Sequence, residues 1–258
     1  MIDKISAELK RIEEHFQVKI LYACESGSRA FGFPSPDSDY DVRFIYLHTK
    51  DWYLSIDQYR NVIERPICEQ LDMNGWELTK ALQLYRKSNP SLLEWLYSEI
   101  VYVQPYSVID NMRGLFDAVY STDTCLLHYL NMAKANYRTL LKKAQVSTKI
   151  YLTILRPILA CKWMIVHPGF PPVDFSRLAG AVLPDGLLKN EVNTLVMNKR
   201  SGNIPSAKID VQIIHHFIEK ELIALSTYTA TAAAYKKDST ELLNNLFRDA
   251  LNEVWCRP

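Results

Sequence analysis

The sequence predicts an α+β protein, with a first half that mixes helices and short strands and a second half that is helical. Three observations lead there. Hydrophobic periodicity switches between helical and extended repeats up to about residue 105 and is almost purely helical after it. Charge divides in the same way: 12 basic and 17 acidic residues up to Asp110, net −5, against 18 basic and 12 acidic beyond it, net +6, within a total of +1. Glycine is scarce, 8 in 258 residues, yet Gly27 and Gly32 lie within six positions of each other. The expected domains are 1–105 and 106–258.

Taken in order, Ile5, Leu9, Ile12 and Phe16 step by four, three and four and mark an amphipathic first helix. Val18–Cys24 and Tyr40–Tyr46 are short runs rich in β-branched and aromatic residues and are expected as strands. Asn74-Gly-Trp-Glu77 has capping-box spacing and is expected to open a helix that Asn89-Pro90 closes; Ser91-Leu-Leu-Glu94 is expected to open the next. Leu243, Leu246, Phe247, Ala250, Leu251 and Val254 form one apolar helical face. Breaks at His167–Pro172, Leu183–Gly186 and Ser201–Pro205 divide the second half into about five or six helices.

Composition removes several function classes. At 48% hydrophobic and 23% charged residues the chain has the makings of a sizeable core, which excludes wholesale disorder. No run approaches the ~18 apolar residues of a membrane span. Met1-Ile2-Asp3-Lys4 leads into an amphipathic stretch rather than a signal peptide, so a cytoplasmic protein without a membrane partner is expected. Five scattered Cys without a C-x-x-C pair argue against a disulfide framework and a structural zinc.

Chemistry concentrates in residues 22–46. Asp39, Asp41 and Arg43 alternate with Tyr40, Val42 and Phe44, so an extended segment sets the three polar side chains on one face. Paired hard carboxylates suit Mg²⁺ together with substrate phosphates. Gly27 permits close backbone approach to a phosphate, and the Ser28 hydroxyl can hydrogen-bond its oxygens. Phe33 and Pro34 stand where a Walker A loop requires Lys and Ser/Thr, which excludes the P-loop mechanism.

Gly27-Ser28 followed by Asp39-x-Asp41 at a strand start resembles the signature of the DNA polymerase beta-like nucleotidyltransferase superfamily. The string from Gly27 to Tyr46, together with residues 74–82, 89–97 and 155–163, is similar to the nucleotidyltransferases of the RNA repair pathway polymerase beta family. The resemblance implies a nucleotidyltransferase head, a small mixed sheet with helices, over 1–105 and a helical domain over 106–258 closing the nucleotide cleft. It implies NMP transfer from an NTP to a hydroxyl, with two Mg²⁺, or Mn²⁺ in their place, held by Asp39, Asp41 and a third carboxylate. That third acid is expected to be Asp72, with Glu69 the alternative; Asn74 is taken as the helix cap, which leaves Asp72 free. Asp37 reads as a turn residue.

Gly27 and Ser28 are expected to hold the triphosphate. Arg29 is open between phosphate contact and pairing with Glu25, and Arg43 between triphosphate binding and neutralising the carboxylates. Lys149, Tyr151 and Arg156 are candidates for closing over the nucleotide. Seven basic residues and no acidic one occur from Lys134 to Lys162, and Lys134, Arg138 and Lys142 share a helix face, a stripe suited to RNA phosphates. An RNA end is the favoured acceptor, with a small-molecule or protein hydroxyl as the alternative. The competing reading from another class is a catalytically silent nucleotide or RNA binder.

Overall fold

The apolar face predicted for the first helix forms as expected: in α1 (Ile2–Phe16) Ile5, Leu9 and Ile12 are buried, and the chain then turns at Gln17, whose left-handed φ of 52° ends the helix. These side chains join Ile20, Val42, Phe44, Tyr46, Ile63 and Met73 in one core. The structure, a computed structural model, describes residues 1–57, 59–68, 70–142, 147–202, 208–231 and 238–256. Five strands make a single mixed sheet, β1 (Lys19–Glu25), β2 (Tyr40–Leu47), β3 (Val62–Cys68), β4 (Leu71–Glu77) and β5 (Val101–Val103), in the order β3-β4-β2-β1-β5. Only the β2–β4 pair is parallel. The fold is therefore α+β.

The chain forms two compact units. The first comprises Met1–Gly27, Asp39–Tyr120 and Lys236–Pro258; the second comprises Ser28–Ser38 and Ser121–Tyr235. A single boundary at 105/106 does not describe this division. In the first unit α4 (Leu78–Arg86) and α5 (Pro90–Leu96) lie between β4 and β5, α6 (Val108–Gly114) follows β5, and α3 (Lys50–Tyr53) and α7 (Phe116–Val119) are single turns. α13 (Thr240–Trp255), expected within the helical domain, belongs to the first unit: Trp255 Nε1 donates to the His48 carbonyl at 2.8 Å, Ser107 Oγ donates to Glu253 at 2.7 Å, and the Phe247 ring meets Tyr53 edge-on. Such contacts join residues some 150–200 positions apart, so local periodicity carries no trace of them.

Local signals also misplaced two caps. Residues 71–77 are strand rather than helix, so Asn74 lies inside β4 and caps nothing; its backbone is committed to the sheet ladder with Arg43 as its neighbour on β2. The cap of α4 is Glu77, buried, whose carboxylate accepts from the Thr79 and Lys80 amides. α5 is capped by Asn89, which accepts from the Leu92 amide at 3.2 Å, with Pro90 in the first turn, rather than by Ser91.

The second unit holds α2's continuation from Ser28 (α2, Gly27–Ala30) and the long helices α8 (Thr122–Leu141), α9 (Thr148–Val166), α10 (Phe175–Val182), α11 (Leu187–Arg200) and α12 (Val211–Thr231). α9 is its centre, buried almost continuously from Ile154 to Cys161, as expected of a helix apolar on all sides. Among the described residues eight helices follow Ser107, more than the five or six expected, because 106–121 adds two short ones. No helix is long and apolar enough to cross a membrane among the described residues.

Two measurements check this packing. A Cβ on Gly75 would lie 2.0 Å from Cε2 of Phe44, inside the core, so Gly75→Ala is expected to cost ~1–3 kcal/mol in urea denaturation. His48 stacks on Trp52 with ring centroids 4.0 Å apart, and burial pushes its pKa down from 6.5 to about 4. The folded chain then keeps His48 neutral where the unfolded chain binds a proton, so stability falls as pH drops from about 6.5 toward 4 and is indifferent to this group above that range. His48→Gln should give a shallower decline of Tm over the same interval.

Candidate functional site

The parallel ladder between β2 and β4 places Asp41 directly beside Asp72 and Arg43 beside Asn74. Alternation along each strand then sends both carboxylates and the guanidinium to one face, while Val42, Phe44 and Met73 enter the core on the other. Arg43 Nη2 donates to Asp41 Oδ1 at 2.9 Å and to Asp72 Oδ2 at 2.8 Å, and Nη1 donates to the Asp72 carbonyl at 3.2 Å. The side chains of Arg43, Asp41 and Asp72 are 17, 25 and 30% exposed, so this bridge is more shielded than an ordinary surface ion pair, which contributes ~0–1 kcal/mol. Of the two roles left open for Arg43, the structure displays neutralisation of the carboxylates.

Two residues fix Asp41 from behind. The Ser26 amide donates to the Asp41 carbonyl at 2.8 Å, and Glu25, fully buried at the end of β1, accepts from the Asp41 amide at 2.8 Å. The Tyr102 hydroxyl donates to the other Glu25 oxygen, and Ser98 Oγ donates to the Glu25 carbonyl at 2.7 Å. A buried carboxylate is costly unless hydrogen-bonded, and these donors tie β1, β2 and β5 together through one side chain. Gly27 has φ +58°, and a Cβ there would lie 1.9 Å from Asp41 Oδ2. Only glycine provides both the backbone angle and the space that the carboxylate fills.

Asp39 is exposed and immediately precedes β2; Glu69, the alternative third acid, lies outside the described residues. Among the described residues no set of three or more His, Cys, Asp or Glu side chains is already converged to hold a metal. The donor chemistry of Asp41 and Asp72 nonetheless fits a divalent cation: they are hard oxygen ligands, side by side, with a positive group already seated on both.

Within the second unit, Ser28–Ser38 forms a tightly held segment. The Phe33 amide donates to the Ser28 carbonyl at 2.9 Å, and Arg29 Nη2 donates to the Ser38 carbonyl at 2.9 Å. The turn expected around Asp37 is present, and Ser38 closes it: its amide donates to the Ser35 carbonyl and its hydroxyl accepts from the Ser35 amide at 2.9 Å. Lys199 Nζ donates to Ser35 Oγ at 2.8 Å and Ser38 Oγ at 3.3 Å, and the Arg200 guanidinium donates to the Gly32 carbonyl through Nε at 3.0 Å and through Nη2. The Arg156 guanidinium lies 3.8 Å from the centroid of Phe31, and the Phe175 amide donates to the Phe31 carbonyl.

Burial pushes the Lys199 ammonium down from its ordinary pKa, Lys149 adds to that, and Asp37 opposes it. Lys149 is exposed, whereas Tyr151 and Arg156 are buried inside the helical unit, Tyr151 with its hydroxyl 2.9 Å from His215 Nε2. On α8, Lys134 is half-buried; Arg138 and the following Lys142 are exposed, and Tyr137 donates to Glu219 at 2.6 Å. Sequence reasoning missed Lys199 and Arg200 as partners of the Gly32–Ser38 segment, some 160 positions away. It named Glu25 only as a partner for Arg29.

The family comparison agrees with the residue pattern. The model of a family described as "RNA repair pathway DNA polymerase beta family" matches residues 1–249. The uncharacterized protein YcgL of Bacillus subtilis (strain 168) is 46% identical over 255 residues, which cover 99% of this chain and 98% of that one. Among solved structures, a nucleotidyltransferase-like protein from Exiguobacterium sibiricum aligns with 96% of this chain and 80% of its own at 10% identity, with a TM-score of 0.32.

The close approach of Gly27 to Asp41 gives a direct check. Gly27→Ala combines a left-handed backbone angle, which costs a non-glycine residue ~1–2 kcal/mol, with displacement of the Asp41 carboxylate. Thermal denaturation should show a loss of at least that size, whereas Gly114→Ala, where a Cβ meets nothing within 4 Å, should not destabilise the protein.

Proposed function

The chain belongs to the RNA repair pathway DNA polymerase beta family, and from that premise we propose that it is a divalent-metal-dependent nucleotidyltransferase that moves an NMP from an NTP to a hydroxyl, with an RNA end as acceptor. The observation that carries this reading is the in-register Asp41–Asp72 pair on parallel strands, with Gly27 packed against Asp41. Asp39, Asp41 and Asp72 are the proposed metal ligands. When bound, Mg²⁺ supplies the charge that acidifies the attacking hydroxyl and stabilises the leaving pyrophosphate, so no histidine base is required. In the transfer, the acceptor oxygen bonds to the α-phosphorus, the bond from that phosphorus to the bridging oxygen breaks, pyrophosphate leaves and the hydroxyl proton passes to solvent.

The chain's own contribution is position. Glu25 and Ser26 hold the backbone on both sides of Asp41, and Gly27 leaves room for its carboxylate. Ser28, Arg29 and Lys149 are proposed to take phosphate oxygens. Tyr151 and Arg156, being buried, are proposed to act by fixing α9 and Phe31 rather than by touching the nucleotide. Support for an RNA acceptor comes from the family description and from the uninterrupted basic bias between Lys134 and Lys162, where Lys134, Arg138 and Lys142 are the proposed phosphate contacts.

The test is incubation of the purified chain with each α-labelled NTP, Mg²⁺ and total cellular RNA, beside an Asp39→Ala, Asp41→Ala double variant. Label should enter RNA with the wild type and fall by ~10²-fold or more in the variant, the scale for removing preorganised charge from a transition-state site. Label appearing instead in protein or small hydroxyl compounds would overturn the RNA assignment, and nucleotide binding without turnover would overturn the enzymatic one.

A further inference from the structure

The most unusual feature of the carboxylate pair is that it already holds a cation of its own. One guanidinium nitrogen of Arg43 reaches both Asp41 and Asp72, at 2.9 and 2.8 Å, and the guanidinium is secured by a third bond to the Asp72 carbonyl. All three side chains come from β2 and β4, two strands locked in parallel register, so the arrangement needs no movement to form. Two adjacent carboxylates repel each other, and the bridge leaves the trio with one net negative charge instead of the two that the acids alone would carry. A metal seeking Asp41 and Asp72 meets a guanidinium already bonded to one oxygen of each and adding positive charge between them.

We propose that Arg43 is a resident counter-cation that a divalent metal must displace, so that the site binds free metal weakly while its carboxylates stay paired and in place. The inference rests on the metal-dependent reading above and concerns this chain's own residue. Arg43 is a positioning residue: it sets the geometry and the charge of the two acids without touching the reacting atoms. One of its guanidinium nitrogens spans both carboxylates while the other reaches the Asp72 carbonyl, whereas a lysine at this position brings a single ammonium for all three acceptors. Removing the charge makes the pair a stronger metal site and at the same time a less stable one without metal, two opposite effects that an ordinary structural ion pair does not produce together.

The experiment is Mn²⁺ titration of the full chain without nucleotide, read by electron paramagnetic resonance of the free ion, for wild type, Arg43→Gln, Arg43→Lys and Arg43→Gln combined with Asp72→Asn. Arg43→Gln should bind Mn²⁺ about tenfold more tightly than wild type, Arg43→Lys should stay within about threefold of wild type, and adding Asp72→Asn should abolish the gain. Melting without metal should show Arg43→Gln less stable than wild type, and Mn²⁺ should restore more of its Tm. Unchanged or weaker binding in a folded Arg43→Gln overturns the inference and leaves the metal-dependent reading standing, provided that wild type binds. Failure of every variant and of wild type to bind Mn²⁺ at millimolar concentration overturns both. Should Arg43→Gln not fold, the guanidinium nitrogen resonances of Arg43 in the wild type decide: a shift on saturating with Mg²⁺ supports displacement, and an unmoved signal overturns it.

Discussion

Everything at the carboxylate face depends on the register of one parallel strand pair. β2 and β4 are joined so that Asp41 faces Asp72, and the same register puts Phe44 over Gly75 in the core beneath. A slip by one residue would turn every side chain of the moving strand to the opposite face, sending Asp41 into the apolar core and Phe44 to the surface. The register is therefore held by the hydrophobic side and read out on the polar side. α1, packed on the core face through Ile5, Leu9 and Ile12, contributes to the alignment of groups it never approaches.

Legibility from sequence followed the range of the interaction. α1, β1 and β2 were visible because their periodicity is local, and the alternation of Asp39, Asp41 and Arg43 with apolar neighbours already stated which side chains share a face. β4 was misread at its second half because Asn74-Gly-Trp-Glu77 satisfies the spacing of a helix cap, while the deciding interaction, the ladder to β2, connects residues about thirty positions apart. The same mistake had supported Asp72 by elimination; Asp72 is placed by the strand pairing and not by a cap elsewhere. Lys199, Arg200 and the return of α13 to the sheet unit left no local mark at all, because each is defined only by a partner far along the chain.

Electrostatics in the first unit is arranged in layers. Arg43 bridges the outer acids, while behind them the buried Glu25 is held by an amide and a hydroxyl. Glu77 repeats the device at the other end of β4, where helix amides and the Thr79 hydroxyl satisfy a buried carboxylate. The net negative charge of the first half is thus partly structural: several of its acids are fasteners whose oxygens are consumed by backbone donors. The long-range charge contrast between the halves says less about ligands than the handful of acids left on the strand face.

The interleaved division of the chain has a consequence for how the molecule is made. The backbone passes between the two units four times, and residues 236–258, which supply α13 to the sheet unit, come after the entire helical unit in sequence. On a ribosome the sheet unit therefore cannot close its last helix until the helical unit has been synthesised, and Ser28–Ser38, made early, waits for Arg156, Lys199 and Arg200 to emerge. Neither unit corresponds to a fragment that could be cut out and expressed as one continuous piece. Truncation and domain swapping, routine ways to separate one module from another, are closed off here by connectivity, and variation in either unit must arise by substitution within the intact chain.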